Sequence, residues 1–134
     1  MKIRTRVLAV DAVAPSPTVL AEAAAALEAG GIVAFPTETF YGLGVAALDA
    51  AAVRRLFALK GRPDASPMLV LVDDPRRIDA FAMLTAAARE LIGRHWPGAL
   101  TLVLPARAVV PGALTAETGT IGVRQPAHAV ARAL

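Results

Sequence analysis

The chain of 134 residues is long enough for one domain with a buried core, and 56% of its residues are hydrophobic. It has no cysteine, which excludes disulfides and cysteine-ligated zinc, and no apolar run of signal-peptide or membrane-span length, so we expect a cytoplasmic protein. The net charge of +3 suits an anionic ligand, although the charges are spread along the chain rather than clustered.

The first half of the chain predicts two strands and two helices. Residues 4–10, RTRVLAV, are typical of a short strand. Ser16 with the following proline starts an alanine-rich helix that ends at a Gly-Gly pair. Residues 31–35, GIVAF, form a continuous apolar run, which predicts a strand buried on both faces. Asp49 is the N-cap of a second helix that ends at the lysine of ALKG.

The second half continues this alternation. The remaining predicted elements, in chain order, are a strand at 68–72, helices from Asp74 to about Leu84 and from Thr85 to about His95, strands at 99–105 and 120–124, and a helix from 128. Residues 106–119 lack periodicity and are predicted to form a loop or hairpin. Strands alternating with helices predict one α/β domain over residues 1–134 with a mixed sheet.

The stretch PTETFYGLG, residues 36–44, carries more chemistry than a chain reversal needs. Two threonine hydroxyls, a carboxylate and a phenol crowd into nine positions, which indicates a ligand site. Within it GLGVAA fits a dinucleotide-binding fingerprint, but six residues separate it from the preceding strand and the helix begins only near Asp49. A Walker A motif is absent, so neither standard nucleotide fingerprint applies.

A second candidate lies in ALKGRPDASPM. Lys60 and Arg62 follow a helix end, and Ser66 stands four residues further on, so an ammonium, a guanidinium fork and a hydroxyl can face one anion. Capping of the helix C-terminus by two cations is the other interpretation, and the residues alone leave both open. The two histidines, His95 and His128, have no spacing that predicts a metal site, so we expect none.

Four blocks, FPTETFYGLG, ALKGRPDASPMLVLV, RHWPGALTLVLPA and TIGVRQPAHAVARAL, together resemble the YrdC-like family of L-threonylcarbamoyl-AMP synthases. The resemblance implies an α/β fold, with a twisted mixed β-sheet and flanking helices around a basic cavity. It implies a nucleotidyltransferase that makes threonylcarbamoyl-AMP from L-threonine, bicarbonate and ATP with Mg2+, releasing pyrophosphate. This product serves the t6A modification of tRNA, so the expected partners are the t6A transferase machinery and, weakly, tRNA.

The resemblance also assigns residues to the two larger substrates. For ATP they are Lys60, Arg62, Ser66 and Thr120, of which Lys60 and Arg62 are catalytic. For L-threonine they are Thr39, Thr37 and Arg124, with Thr39 preferred over Thr37 and Arg124 facing the carboxylate.

Two departures from the family pattern follow. Leu71 stands where some members have a histidine, and the family's Ser-x-Asn motif is absent because the chain contains no asparagine. The final helix is also cut after about two turns. We therefore expect an N-terminal portion of the domain whose C-terminal part is missing, and which is inactive by itself.

Two other functions remain open at this point. A non-catalytic YrdC-like protein would use the basic cavity to bind RNA through phosphate contacts. A carbamoyl-transfer domain of the hydrogenase-maturation type shares the fold, but belongs to longer chains with zinc-finger and acylphosphatase parts, none of which is visible here. The Lys-x-Arg and threonine positions favour the synthase.

Overall fold

The computed structural model describes residues 4–61 and 68–134. Its helices are α1 (Pro17–Glu28), α2 (Ala50–Lys60), α3 (Ala86–His95), α4 (Gly112–Thr115) and α5 (Ala129–Ala133), with a 3-10 helix at Pro75–Ala80. Its strands are β1 (Val33–Phe35), β2 (Gly42–Gly44), β3 (Leu69–Leu71), β4 (Leu102–Pro105) and β5 (Thr120–Arg124). No described helix is long and apolar enough to cross a membrane.

The strands form two sheets. β1 and β2 pair antiparallel, while β3, β5 and β4 form a three-stranded sheet with β5 in the centre. β5 runs parallel to β3 and antiparallel to β4, so this sheet is mixed, as the sequence predicts.

The core lies between the three-stranded sheet and α2. Ile121 and Val123 alternate along β5 and are 1% and 0% exposed, as expected for the side chains on one face of a central strand. From α2, Val53, Leu56 and Phe57 pack into the same cluster at helical spacing. Because α2 packs against this core, the position of its last residue at the protein surface is fixed.

The first sheet differs from the prediction. The strand in GIVAF is only half-buried, because it pairs with a second short strand inside PTETFYGLG rather than entering a large sheet. Phe35 is opposite Gly42, and its ring covers the glycine backbone of β2: a Cβ added to Gly44 would lie 2.7 Å from its Cε1 atom. The apolar run therefore contributes one aromatic ring that covers β2, and it is not a strand buried on both faces.

The predicted strand at 4–10 is wrong. These residues form no strand in the structure, and the side chain of Val7 is 93% exposed. A strand needs a neighbour for its backbone N–H and C=O groups, and no described strand pairs with this segment. Arg6 of this segment forms an exposed ion pair with Glu22 on α1.

Two further segments depart from the predicted elements. The helix predicted from Asp74 is a 3-10 helix that ends at Ala80, after which Ala82 forms a bridge with Ala106 next to β4. Asp74 accepts a hydrogen bond from the backbone of Arg76, and the guanidinium of Arg76 lowers the pKa of that carboxyl to about 2. Within 106–119, predicted to be a loop or hairpin, lies the single turn of α4.

Candidate active site

A cleft of about 930 Å³ lies between the two sheets. One wall is the segment from Phe35 to Leu48, which contains β2. The other side is formed by α2, β3 and residues at the C-terminal end of β5. The last three residues of α5 and the following Leu134 also line the cleft. Elements from both halves of the chain therefore meet at one concave surface, the usual form of a small-molecule site.

The charges in this cleft are mainly positive. The described cations that line it are Lys60, Arg77, Arg124 and Arg132, and the carboxylates are Glu38 and Asp73. Arg77 is already paired with Asp73 through an Nε to Oδ1 distance of 2.9 Å. The others leave an excess of positive charge for an anionic ligand, in agreement with the basic cavity that the resemblance implies.

Lys60 is the last residue of α2, and the sequence explains its position. Asp49 begins the helix by accepting a hydrogen bond from the backbone N–H of Ala52 at 3.0 Å. Gly61 ends it in the left-handed conformation, with φ of 60°, which glycine adopts without a steric penalty. The ammonium of Lys60 is thus presented at the cleft from a helix fixed at both ends. The interpretation of Lys60 as a plain helix cap remains compatible with this geometry.

The two threonines of the 36–41 segment have different environments. The Thr37 hydroxyl donates to the backbone oxygen of Phe40 at 2.5 Å and accepts from the backbone N–H of Thr39 at 3.2 Å. These two hydrogen bonds to the backbone shape the turn. The hydroxyl of Thr39 contacts Thr37 Oγ1 at 3.2 Å and is otherwise exposed at the cleft, so it is the better placed of the two to meet a ligand.

Arg124, at the end of β5, is held by a residue that the sequence did not identify. Its Nε and Nη2 donate to the Thr101 hydroxyl at 3.1 and 2.9 Å. The register that pairs Leu102 with Val123 places Thr101 directly across from Arg124. This register cannot be read from the sequence, so no local pattern marks Thr101.

Glu38 is the second residue that the site assignment missed. Its Oε1 lies 4.0 Å from Arg124 Nη1, and the two side chains are 20% and 23% exposed. Its position was visible in the sequence as the carboxylate within PTETFYGLG, but a carboxylate alone does not predict what it contacts. The structure brings it beside the cation assigned to the substrate carboxylate.

Of the other predicted ATP residues, only Thr120 lies in the described chain, and it is not brought to this cleft. Thr120 stands at the opposite end of β5 from Arg124, about 13 Å along the strand, and its hydroxyl contacts that of Thr118 at 2.8 Å. It does not line the described part of the cleft. Arg62 and Ser66 lie outside the described residues. The roles of all three stay predictions.

The histidines have structural positions in the described chain. His128 accepts a hydrogen bond at Nδ1 from the backbone of Val130 and thereby begins α5, and His95 ends α3. Residues 4–61 and 68–134 contain no cluster of three histidine, cysteine or carboxylate side chains that would hold a metal ion. Gly42 and Gly44 lie in β2 rather than in a strand-to-helix turn, which agrees with rejecting the dinucleotide fingerprint.

Comparison with known sequences gives a consistent result. A family model described as telomere recombination, and named for Sua5, YciO and YrdC, matches residues 25–134. Over 110 residues the chain is 46% identical to the threonylcarbamoyl-AMP synthase of Pyrococcus abyssi, covering 81% of this chain and 32% of that protein. Over 109 residues it is 44% identical to the synthase of Thiobacillus denitrificans, with 81% and 58% covered. The chain thus spans less than two thirds of these relatives.

Solved structures agree with the sequence matches. Sua5 of P. abyssi in complex with L-threonine has a TM-score of 0.87 at 41% identity, over 90% of this chain and 36% of that one. YciO of E. coli has a TM-score of 0.84 at 26% identity, over 93% and 61%. These matches confirm the family that the four sequence blocks predicted, and the mixed α/β fold.

Proposed function

Because the chain belongs to the Sua5/YciO/YrdC family, we propose that the whole protein is an L-threonylcarbamoyl-AMP synthase. It joins L-threonine, bicarbonate and ATP, releases pyrophosphate, and supplies the t6A modification of tRNA. One observation carries the proposal: Lys60, Thr39 and Arg124 come from three separate sequence blocks, yet all line one basic cleft. A nucleotide and an amino acid are the kinds of anionic and zwitterionic ligands that such a surface suits.

The threonine half of the reaction belongs where the 36–41 segment approaches the end of β5. Arg124 receives the substrate carboxylate, because a guanidinium binds a carboxylate with directed hydrogen bonds. Thr39 contacts the substrate, while Thr37 holds the turn that presents it.

The ATP half belongs near the end of α2, with Lys60 and Arg62 on the phosphates and Ser66 and Thr120 as further nucleotide contacts. The amine of threonine and bicarbonate form a carbamate with loss of water. A carbamate oxygen then attacks the α-phosphorus, and the bond from that phosphorus to the pyrophosphate oxygen breaks. Lys60 stabilises the charge that develops on the leaving group, so catalysis comes mostly from positioning and electrostatics.

Mg2+ enters this proposal as part of the ATP substrate. The described residues offer no carboxylate cluster for it. Mg2+ commonly keeps several waters and binds through substrate phosphates, which fits an ion that arrives with the nucleotide. The proposed setting is the cytoplasm, with the t6A transferase machinery as partner and weak contact with tRNA.

The proposal is tested by measuring pyrophosphate release by the whole protein with ATP, Mg2+, L-threonine and bicarbonate, omitting one substrate at a time. Release must require threonine and bicarbonate, and Lys60→Ala must lower kcat/KM roughly 10²- to 10³-fold. Arg54→Ala is the matched control, because Arg54 is an exposed cation of α2 outside the cleft lining.

Three outcomes would count against parts of this account. Absence of release with all substrates present overturns the synthase. Full activity of Lys60→Ala overturns the assignment of Lys60 to the active site, but leaves the proposed synthase activity standing. Tight tRNA binding that weakens steeply with salt, without pyrophosphate release, would instead favour the RNA-binding alternative.

A further inference from the structure

Glu38 carries a carboxylate whose two oxygens are buried. Neither of its side-chain oxygens is reached by solvent or accepts a hydrogen bond within the part of the chain that the structure describes. An unsatisfied buried charge is costly, so such a group is expected to have a donor when the protein functions. Glu38 lines the cleft and its side chain is 20% exposed, so a rotation of the carboxylate toward the cleft would let a ligand supply that donor.

Arg124, the described cation that is paired with Glu38, donates no hydrogen bond to it. Arg124 Nη1 lies 4.0 Å away, which is beyond hydrogen-bond distance, while Nε and Nη2 of the same guanidinium are both directed at Thr101. A carboxylate whose task was to hold Arg124 would be expected to accept direct hydrogen bonds from it. Thr101, the residue directly before β4, already performs that task.

Glu38 and Arg124 therefore present a negative and a positive group side by side where the two sides of the cleft approach each other. An α-amino acid carries the complementary arrangement, because its ammonium and carboxylate are attached to the same carbon. Each group of the zwitterion is a hydrogen-bond partner for one of the two side chains. A ligand with a carboxylate alone would leave Glu38 unsatisfied.

We propose that Glu38 binds the α-ammonium of the amino-acid substrate while Arg124 binds its carboxylate. This inference rests on the proposed function and adds a residue that selects for a free amine. It orients the substrate with its nitrogen at a fixed place in the cleft. An amino acid with a free α-amine therefore makes both contacts, whereas an acid without an amine lacks half of them.

The test measures ligand binding to the whole protein. Binding is monitored by NMR titration, because fragments of the substrate bind weakly. The three ligands are L-threonine, 3-hydroxybutanoate, which lacks the amine, and 1-aminopropan-2-ol, which lacks the carboxylate. Glu38→Gln removes the charge at nearly constant size. Glu28→Gln is the control, because Glu28 is exposed at the end of α1 and does not line the cleft.

The expected result is selective. Glu38→Gln weakens L-threonine and 1-aminopropan-2-ol by roughly 10- to 100-fold, the loss typical of a charge-assisted hydrogen bond, and leaves 3-hydroxybutanoate unchanged. Glu38→Asp keeps the charge but places it farther from the ligand, because the side chain is one methylene shorter. It gives an intermediate loss of affinity for L-threonine and 1-aminopropan-2-ol. Glu28→Gln behaves as the unaltered protein with all three ligands.

Other patterns would overturn the inference. Equal weakening of L-threonine and 3-hydroxybutanoate would mean that Glu38 acts through Arg124, and unchanged L-threonine binding would mean that it has no part in the site. Either result leaves the synthase proposal intact if pyrophosphate release persists. An unaltered protein that does not bind L-threonine removes both proposals. Circular dichroism of each variant checks that the fold is retained.

Discussion

At the scale of single residues, Arg124 is fixed from one side and left available on the other. Thr101 accepts hydrogen bonds from Nε and Nη2 of Arg124, and the third nitrogen, Nη1, lies at the cleft beside Glu38. A guanidinium whose orientation is set before binding loses less conformational freedom when the ligand arrives. Thr101 is therefore a positioning residue for the threonine pocket.

Thr101→Val removes this acceptor at nearly constant shape. We expect the KM for L-threonine to rise roughly tenfold, because about 1 to 2 kcal/mol of hydrogen bonding to a charged group is lost, while the KM for ATP changes little. Thr101→Ser restores the hydroxyl and most of the affinity. Steady-state kinetics of the whole protein measures both constants, and an equal rise in the two would contradict a specific effect on Arg124.

The residue scale also shows what the sequence is able to reveal. Lys60, Thr39 and Arg124 were predicted from family-like motifs, and the structure brings all three to one cleft. Thr101 was missed because its contact depends on the register between β4 and β5. Glu38 was noticed as an extra carboxylate, but its missing hydrogen-bond donors become visible only when the surrounding chain is placed.

At the scale of elements, α2 connects the core with the cleft. Val53 and Leu56 are buried in the core, and Lys60 ends the same helix at the cleft. The start of α2 depends on Asp49, whose carboxylate accepts the backbone N–H of Ala52. Stability of this helix and presentation of the lysine are therefore linked.

Asp49→Ala leaves that backbone N–H without its acceptor. We expect a loss of about 1 kcal/mol in the free energy of unfolding, the usual contribution of an N-cap side chain. Urea denaturation followed by circular dichroism measures it, and the slope of the transition should not change. Asp49→Asn, which keeps a capping oxygen, should lose far less. An unchanged midpoint for Asp49→Ala would show that the cap contributes nothing to stability.

Prediction of elements succeeded where local signals agree with long-range packing. Asp49 and Thr85 start α2 and α3 as their capping chemistry predicts. β2 was missed because two of its three residues are glycine, and it becomes a strand only through pairing with β1 under the ring of Phe35. Residues 4–10 have the composition of a strand, but the described chain offers them no partner.

At the scale of the whole molecule, the cleft depends on chain order. β5 is the last strand along the chain, yet it lies between β3 and β4, and its C-terminal end carries Arg124 to the wall opposite β2. Alternating elements were enough to predict a mixed α/β fold. The cavity was expected only from the family resemblance, and the division into two sheets was not predictable because it depends on pairings between distant segments.

The central claim is that the whole protein makes threonylcarbamoyl-AMP. Its most direct test is mass spectrometry of the product formed from ATP, L-threonine and bicarbonate labelled with carbon-13. The account predicts an adenylate that contains the threonine residue and one labelled carbon, and that disappears when any of the three substrates is omitted. Consumption of ATP without this adenylate, or an adenylate that carries no label, would contradict it.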